Sequence, residues 1–405
     1  MYFGLMPRHG WTKPESDFRL SDAVSVGLLE REFPPEVVDE VVAECGRTEK
    51  RARALPAQTM VYFAIGMALN SSGSYEDVLA LITDGLAWVD RDGRSGPLAT
   101  KGAVSQARVR LGPEPLEALY RKRAVPLGET DTPGTWLAGR RMVAIDGTTL
   151  DVADTTANVT HFGRPGVMKG EQAAFPQIRV VGVGECGSHG IIDAEIGPYT
   201  TSENAMARPL LERLGPGMVC LADRGFYSFA AWNIAANTGA DLLWRVKSSL
   251  KLDPVEDLPD GTWYAHVFDS KTDRARQHPN VVRVVEYHLD DGRKPSGPYR
   301  LITTLTDPDE VSAEDLVLAY TQRWEIETTF DELKTHQRGP RAVLRSKSPG
   351  MVEQELWGHL CCHYAIRTLM FEAAVGAGQD PDRVSFTAAL RICRRSIAQQ
   401  GAFPP

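Results

Sequence analysis

Apolar residues recur at helical spacing from the beginning of the chain to about residue 135, with no sustained alternation of apolar and polar positions. The segments DEVVAECGRTEKRARALPAQTMVYFAIGMALN and YEDVLALITDGLAWV carry the pattern and predict a separate helical module. It closes with ATKGAVSQARVRLGPEPLEALYRKRAVPL. There Thr100 is placed to cap a helix projecting Ser105, Gln106, Arg108 and Arg110, and Gly112 and Pro113 stop it. A DNA-contacting helix would carry such residues, but so would an ordinary surface helix, and the partner helix of a helix-turn-helix is not clearly written.

After the linker GETDTPGTW the texture changes. The runs RMVAIDG, QIRVVGVGECG and GIIDAEIGP read as strands, ENAMARPLLERLG as a helix, MVCLADRG as a strand, then another helix and the strand DLLWRVK. The order β-β-β-α-β-α-β predicts an α/β fold: a mixed sheet, opened by hairpins, extended by parallel strands and covered by helices on both faces. Between about Lys247 and Asp307 a second β-rich stretch (GTWYAHVFD, VVRVVEYHLDD, YRLITTLTD) looks inserted, and from Ser312 onward the chain is helical again. The expected divisions are therefore 1–135, 136–250, 251–306 and 307–405.

Composition narrows the class. The 405 residues are 42% hydrophobic and 24% charged, which suits a globular chain and excludes disorder, collagen and coiled coil. The longest apolar run, Met60 to Leu69, is half of the roughly 20 residues a membrane helix needs, so no membrane span is expected. The opening MYFGLMPRHGW lacks the features of a secretory signal, which points to the cytoplasm. Six cysteines without a C-x-x-C pair argue against a disulfide framework and a structural zinc site. His359, Cys361, Cys362 and His363 read as part of a packed helix, since no acidic ligand or general base accompanies them. No G-x-x-x-x-G-K-[ST] loop is present, so ATP use is not expected.

The net charge of −8 argues against a protein that coats phosphates everywhere. Local distribution differs: KTHQRGPRAVLRSK holds Lys334, Arg338, Arg341, Arg345 and Lys347 with no acid, and Arg391, Arg394 and Arg395 follow. Any one of these is a solvated face until something nearby needs a polyanion.

Candidate chemistry supplies that need. Asp146 ends an apolar strand in VAIDGTTLDV, and Asp223 ends another in VCLADRGF, each with a glycine close behind. Carboxylates at the carboxyl ends of neighbouring strands of an α/β sheet can share a divalent cation. Asp151 and Asp154 read as loop or helix-cap acids. In AYTQRWEIETTFDELKTHQRG, at about 100° per residue, Tyr320, Arg323, Glu327 and Lys334 fall at roughly 0°, 300°, 340° and 320°, on one face. That face is either an internally paired surface stripe or a metal-binding carboxylate set among cations that hold nucleic-acid phosphates.

The spacing Tyr320-x2-Arg323-x3-Glu327-x6-Lys334 reproduces the YREK signature, and the chain resembles a DDE transposase of the insertion-sequence-four family. The blocks DGTTLDV, NVTHFGRPG, AFPQIRVVGVGECG, LADRGF, GADLLWRVK and LPDGTW are similar to those of actinobacterial members, so the resemblance spans about residues 75 to 396. It implies an RNase H-like mixed-sheet core with a β-rich insertion before the glutamate helix, preceded by a helical N-terminal domain that binds DNA ends and followed by a helical, basic C-terminal region. It further implies that Asp146, Asp223 and Glu327 are the catalytic metal ligands. Two Mg²⁺ ions held there, with Mn²⁺ able to substitute, would support in-line attack on phosphate. Tyr320, Arg323 and Lys334 would position the DNA backbone, with Arg338, Arg341 and Arg345 extending the contact. Tyr299, or in competition Trp263, would stack a flipped base.

The function implied is cut-and-paste transposition: binding of terminal inverted repeats, cleavage through a DNA hairpin and joining to target DNA, with a dimer in the synaptic complex and work at the nucleoid. Members of the family often continue past the equivalent of GAFPP with a basic tail, so the resemblance implies a shortened copy. Two other classes fit less of the residue pattern. One is a decayed or domesticated protein that occupies the repeats without cutting; the other is a general Mg²⁺-dependent nuclease. A glycosidase would need paired carboxylates and no phosphate clamp, which Arg323 and Lys334 argue against.

Overall fold

Strand β1 (Tyr2–Gly4) is followed by helices α1 (Leu28–Glu32), α2 (Pro35–Glu44), α3 (Ala57–Leu69), α4 (Tyr75–Gly85), α5 (Lys101–Leu111) and α6 (Glu114–Arg123). The computed structural model describes residues 2–4, 27–51, 53, 55–85, 99–166, 173–269, 277–290, 298–339 and 342–400; Arg341 lies outside them. α3 is apolar nearly all round, and a helix without a polar stripe has to be enclosed by others. Its main partner is the long helix α12 (Pro349–Gly376). The approach is so close that a Cβ on Gly358 would lie 2.6 Å from the Ala64 carbonyl oxygen, so only glycine fits. His359, Cys361, Cys362 and His363 are buried in α12, as a packed helix requires. The helical segment thus shares one core with α12 and with one face of the sheet.

Thr100 caps α5 as expected, accepting from Ala103 N–H at 3.3 Å. Arg108 does not project. It is fully buried, and its guanidinium donates to Gln354 Oε1 (2.8 Å), Tyr75 Oη (2.6 Å), Ser346 Oγ (3.0 Å) and the Met351 carbonyl (3.0 Å). A buried cation is tolerable only when its donors are met, and the partners come from residues far along the chain that no local pattern can announce.

β2 (Trp136–Leu137) pairs with β3 (Arg140–Asp151), which runs antiparallel to β4 (Gln177–Glu185); β4 in turn pairs with β5 (Ile191–Pro198). On its other side β3 is parallel to β6 (Met218–Ala222), and β6 is parallel to β7 (Asp241–Arg245). Helices α7 (Thr156–Phe162), α8 (Glu203–Glu212) and α9 (Phe229–Ala236) intervene, so the expected β-β-β-α-β-α-β order holds with the short α7 added. Along β3, Val143 and Ile145 enter the core beneath α8, whereas Met142 and Ala144 enter the core that contains Ile326 and Phe330.

The β-rich segment does not fold apart. β8 (Pro254–Asp257), β9 (Trp263–Val267), β10 (Asn280–Asp290) and β11 (Tyr299–Thr303) continue the same sheet, because β11 pairs antiparallel with β7 and covers what would otherwise be an open edge. The fully buried Arg283 donates to the Val311 carbonyl at 2.6 Å and pairs with Asp260, which also accepts from Ala313 N–H at 3.1 Å. This fastens the segment to α10 (Ala313–Thr321). α11 (Trp324–Asp331) follows, then a π-helical turn (Glu332–Gln337), α12, a 3₁₀ turn (Pro381–Arg383) and α13 (Phe386–Gln400). Among the described residues no helix is long and apolar enough to cross a membrane.

Candidate active site

Asp146 stands inside β3, not at its end. The parallel pairing with β6 stops at Ile145 opposite Ala222, while the antiparallel pairing with β4 runs on to Asp151 opposite Gln177. The polar run GTTLD disguised this continuation, and Asp151, expected in a loop, is the last residue of β3 and accepts from Gln177 Nε2 at 2.8 Å. Asp154 pairs with Arg164. Asp223 follows Ala222 directly, so the two aspartates take the next register position of adjacent strands, which lie about 4.8 Å apart.

α11 lies across β4, seated where Gly182 and Gly184 lack side chains: Phe330 Cζ and Ile326 Cδ1 come within 3.2 and 2.5 Å of the positions their Cβ atoms would take. That seat places Glu327, exposed on the same helix, over Asp146. The expected single helical face is modified. α10 ends at Thr321, Arg323 caps α11, and Lys334 lies on the π-turn, whose wider winding shifts its phase. Arg323 is buried and donates to Glu327 Oε1 at 2.8 Å, with its guanidinium 4.6 Å from the ring of Trp324. Its Nε finds no acceptor among the described residues. Lys334 is half-buried and has no ion-pair partner among the described residues.

Other expected DNA contacts stand differently. Tyr320 is buried, and its hydroxyl donates to the carbonyl of Ala222 at 3.4 Å, bracing the residue before Asp223 rather than facing outward. Arg338 is buried and donates to the Ala342 carbonyl, and Arg345 donates to the Gly73 carbonyl at 2.6 Å. Both guanidinium groups thus donate to backbone oxygens of the fold, and that of Arg345 also lies 5.2 Å from the Tyr75 ring. Tyr299 stacks on Tyr287 (5.4 Å, 29°) beneath the Arg245 guanidinium at 4.0 Å, and Arg245 stands 3.9 Å from Asp223. Trp263 donates to the Leu252 carbonyl at 3.0 Å.

Three residues at the site carried no signal in the sequence. Arg245 lies at the end of β7, where a cation is unremarkable; Trp324 is 53% exposed beside Arg323; and Glu203 opens α8, where an acid is generic. A different grouping, His189 with Glu325 and Asp382, lies behind α11. Arg367 Nη2 is 3.0 Å from His189 Nδ1. A guanidinium can only donate, so Nδ1 accepts and the proton on Nε2 faces the two carboxylates. The arrangement is a strut between the β4–β5 turn, α11 and the C-terminal region.

Burial pushes Asp146 up to about 6, against the Gly147 N–H hydrogen bond and Arg323, and Glu327 and Glu203 add to the rise. Asp146, Asp223 and Glu327 offer oxygen-only donors partly open to solvent, which fit a hard divalent ion. The sign for stability follows. A carboxyl raised in the native state costs stability once it ionises, so native stability falls as pH rises from about 4 through 6. Without metal, Asp146→Asn is expected to melt above the parent at pH 8, by no more than about 3 kcal/mol, and to converge with it below pH about 4. Thermal denaturation in chelator across pH checks this; a parent that melts higher at pH 8 would refute it.

Aspartates on adjacent strands, with an exposed glutamate and cations nearby, suit the class of metal-dependent enzymes that cut DNA. The comparisons give the family. Residues 23–121 match the insertion element 4 transposase N-terminal family, and residues 137–365 match the transposase DDE domain. The transposase InsG for insertion sequence element IS4 of Escherichia coli (strain K12) is 31% identical over 376 residues, 91% of this chain and 83% of the relative. The piggyBac transposase synaptic complex with hairpin DNA aligns with a TM-score of 0.47 and 12% identity, over 93% of this chain and 81% of that one. The chain belongs to the IS4 family of DDE transposases.

Proposed function

We propose that this transposase performs cut-and-paste transposition of its own element: it binds the terminal inverted repeats, cuts each end through a DNA hairpin and joins the freed ends to target DNA. The observation that carries this reading is the adjacency of Asp146 and Asp223 in register, with Glu327 above them. These three would hold two Mg²⁺ ions, or Mn²⁺ in their place. Bound there, the ions would activate the attacking oxygen and stabilise the leaving one.

The chain's own residues do the positioning. Lys334, half-buried and without an ion-pair partner among the described residues, would offer its ammonium to a backbone phosphate, and the buried Arg323 would steady Glu327 beside it. Tyr320 holds the end of β6, and with it the backbone of Asp223. The exposed ring of Trp324 offers a flat surface to an unstacked base, as Tyr299 would if Arg245 swung off its ring. Pairing two element ends requires at least two copies of the chain in the synaptic complex.

The test is cleavage of a labelled duplex carrying the element's own terminal repeat, in Mg²⁺, beside a duplex with a scrambled end. Cutting at the repeat boundary of the first alone is expected. Equal cutting of both would replace this reading with a general nuclease, and tight binding without cutting would replace it with an occupant of the repeats.

A further inference from the structure

The triad does not exhaust the carboxylates at this centre. Glu203 is the first residue of α8, which packs on the face of the sheet opposite α11. Two contacts fix where its side chain goes. A Cβ on Gly147, the residue after Asp146, would collide with Glu203 Oε1, so the carboxylate occupies the space that a side chain at 147 would fill. The neighbouring Asn204 donates through Nδ2 to the Gly225 carbonyl at 3.1 Å, which latches the start of α8 to the loop that carries Asp223. Glu203 is thereby held between the residue after the first aspartate and the loop of the second. Among the described residues its ion pair is with Arg179, at a loose 3.9 Å, so its oxygens are not committed elsewhere.

We propose that Glu203 is a fourth carboxylate of the metal centre, reaching it across β3 through the gap left by Gly147. Charge supports the assignment: two divalent ions bring four positive charges, the triad supplies three negative ones, and Glu203 supplies the fourth. Proximity supports it as well: α8 and α11 pack on opposite faces of the sheet, and the Glu203 charge acts on both Asp146 and Asp223. The inference rests on the triad reading above.

The experiment is Mn²⁺ binding to the full-length, DNA-free protein, followed by the free-ion electron paramagnetic resonance signal, for the parent, Glu203→Gln, Gly147→Ala, Arg179→Met and Glu327→Gln. Glu203→Gln is nearly isosteric at a half-buried position and is expected to melt no lower than the parent in chelator while weakening Mn²⁺ binding about tenfold. Gly147→Ala is expected to weaken binding similarly by pushing the carboxylate out, and Arg179→Met to leave it within about twofold. Parent-like binding by Glu203→Gln alongside weakened binding by Glu327→Gln would overturn this inference and leave the triad standing. Parent-like binding by both would overturn the triad reading with it. An Arg179→Met loss equal to that of Glu203→Gln would reduce Glu203 to a partner of Arg179.

Discussion

Glu327→Gln is expected to lower end cleavage by about a thousandfold or more, equivalent to about 4 kcal/mol of transition-state stabilisation, while leaving binding to the repeat intact. The amide keeps the size of the side chain and still presents an oxygen to Arg323, so the Arg323 contact at 2.8 Å and the seat of α11 on Gly182 and Gly184 survive. What it loses is the negative charge that Glu327 would contribute to the proposed cation site. In chelator, where no metal is lost with it, removing a negative charge does not weaken attraction for a polyanion, so repeat affinity there should stay level or rise slightly at low salt. Single-turnover cleavage and a gel-shift titration on the same duplex separate the two effects. Cleavage within tenfold of the parent would remove Glu327 from the triad.

The second large effect lies one turn farther on. Glu332 is buried on the π-turn, pairs with Arg367 of α12 and accepts from His363 Nε2 at 3.2 Å. Burial alone pushes its carboxyl up, but Arg367 and the His363 hydrogen bond outweigh that and hold it at about 2. Burial also pulls His363 below its usual value, so at neutral pH it donates as an uncharged imidazole. A carboxylate depressed in the native state stabilises the fold above its unfolded value, and that contribution fades as pH falls from about 4.5 through 2. Glu332→Gln is therefore expected to cost about 3 to 5 kcal/mol at pH 7, because Arg367 is left buried without a counter-charge, and the gap to the parent should narrow below pH about 4. Denaturant unfolding at pH 7 and at pH 3 gives the two values; equal losses at both would show that charge is not the cause.

How much was written in the sequence follows from how local each cause is. The order of strands from β3 to β7 was legible because alternation and turn residues are short-range signals, and Asp223 was legible because an apolar run simply stops there. Asp146 was identified with the wrong surroundings: Thr148 and Thr149 extend β3 past it, yet their polarity reads as a turn. Arg108, Arg338 and Arg345 looked like a solvent-facing basic surface, and the oxygens that draw them inward belong to residues distant in sequence or to irregular backbone. The continuation of the sheet through β11 was hidden for a similar reason, since an insertion announces its strands but not which edge they will join. Glu203 had no chance of discovery from sequence, because what singles it out is the missing side chain of Gly147, a contact made only after folding.

The close seat of α3 against α12 has a consequence for how the molecule is born. α3 emerges from the ribosome early, with hardly a polar face to show to water, and the helix that covers it is among the last made. Arg108 waits for Gln354, 246 residues later, before its buried guanidinium is satisfied. Such long-range closure slows folding and leaves sticky, half-made chains exposed to aggregation or chaperones. Arg367, the partner of Glu332 just beyond Glu327, also lies on that late helix, so a partly synthesised chain has both aspartates long before the proposed triad is complete and braced.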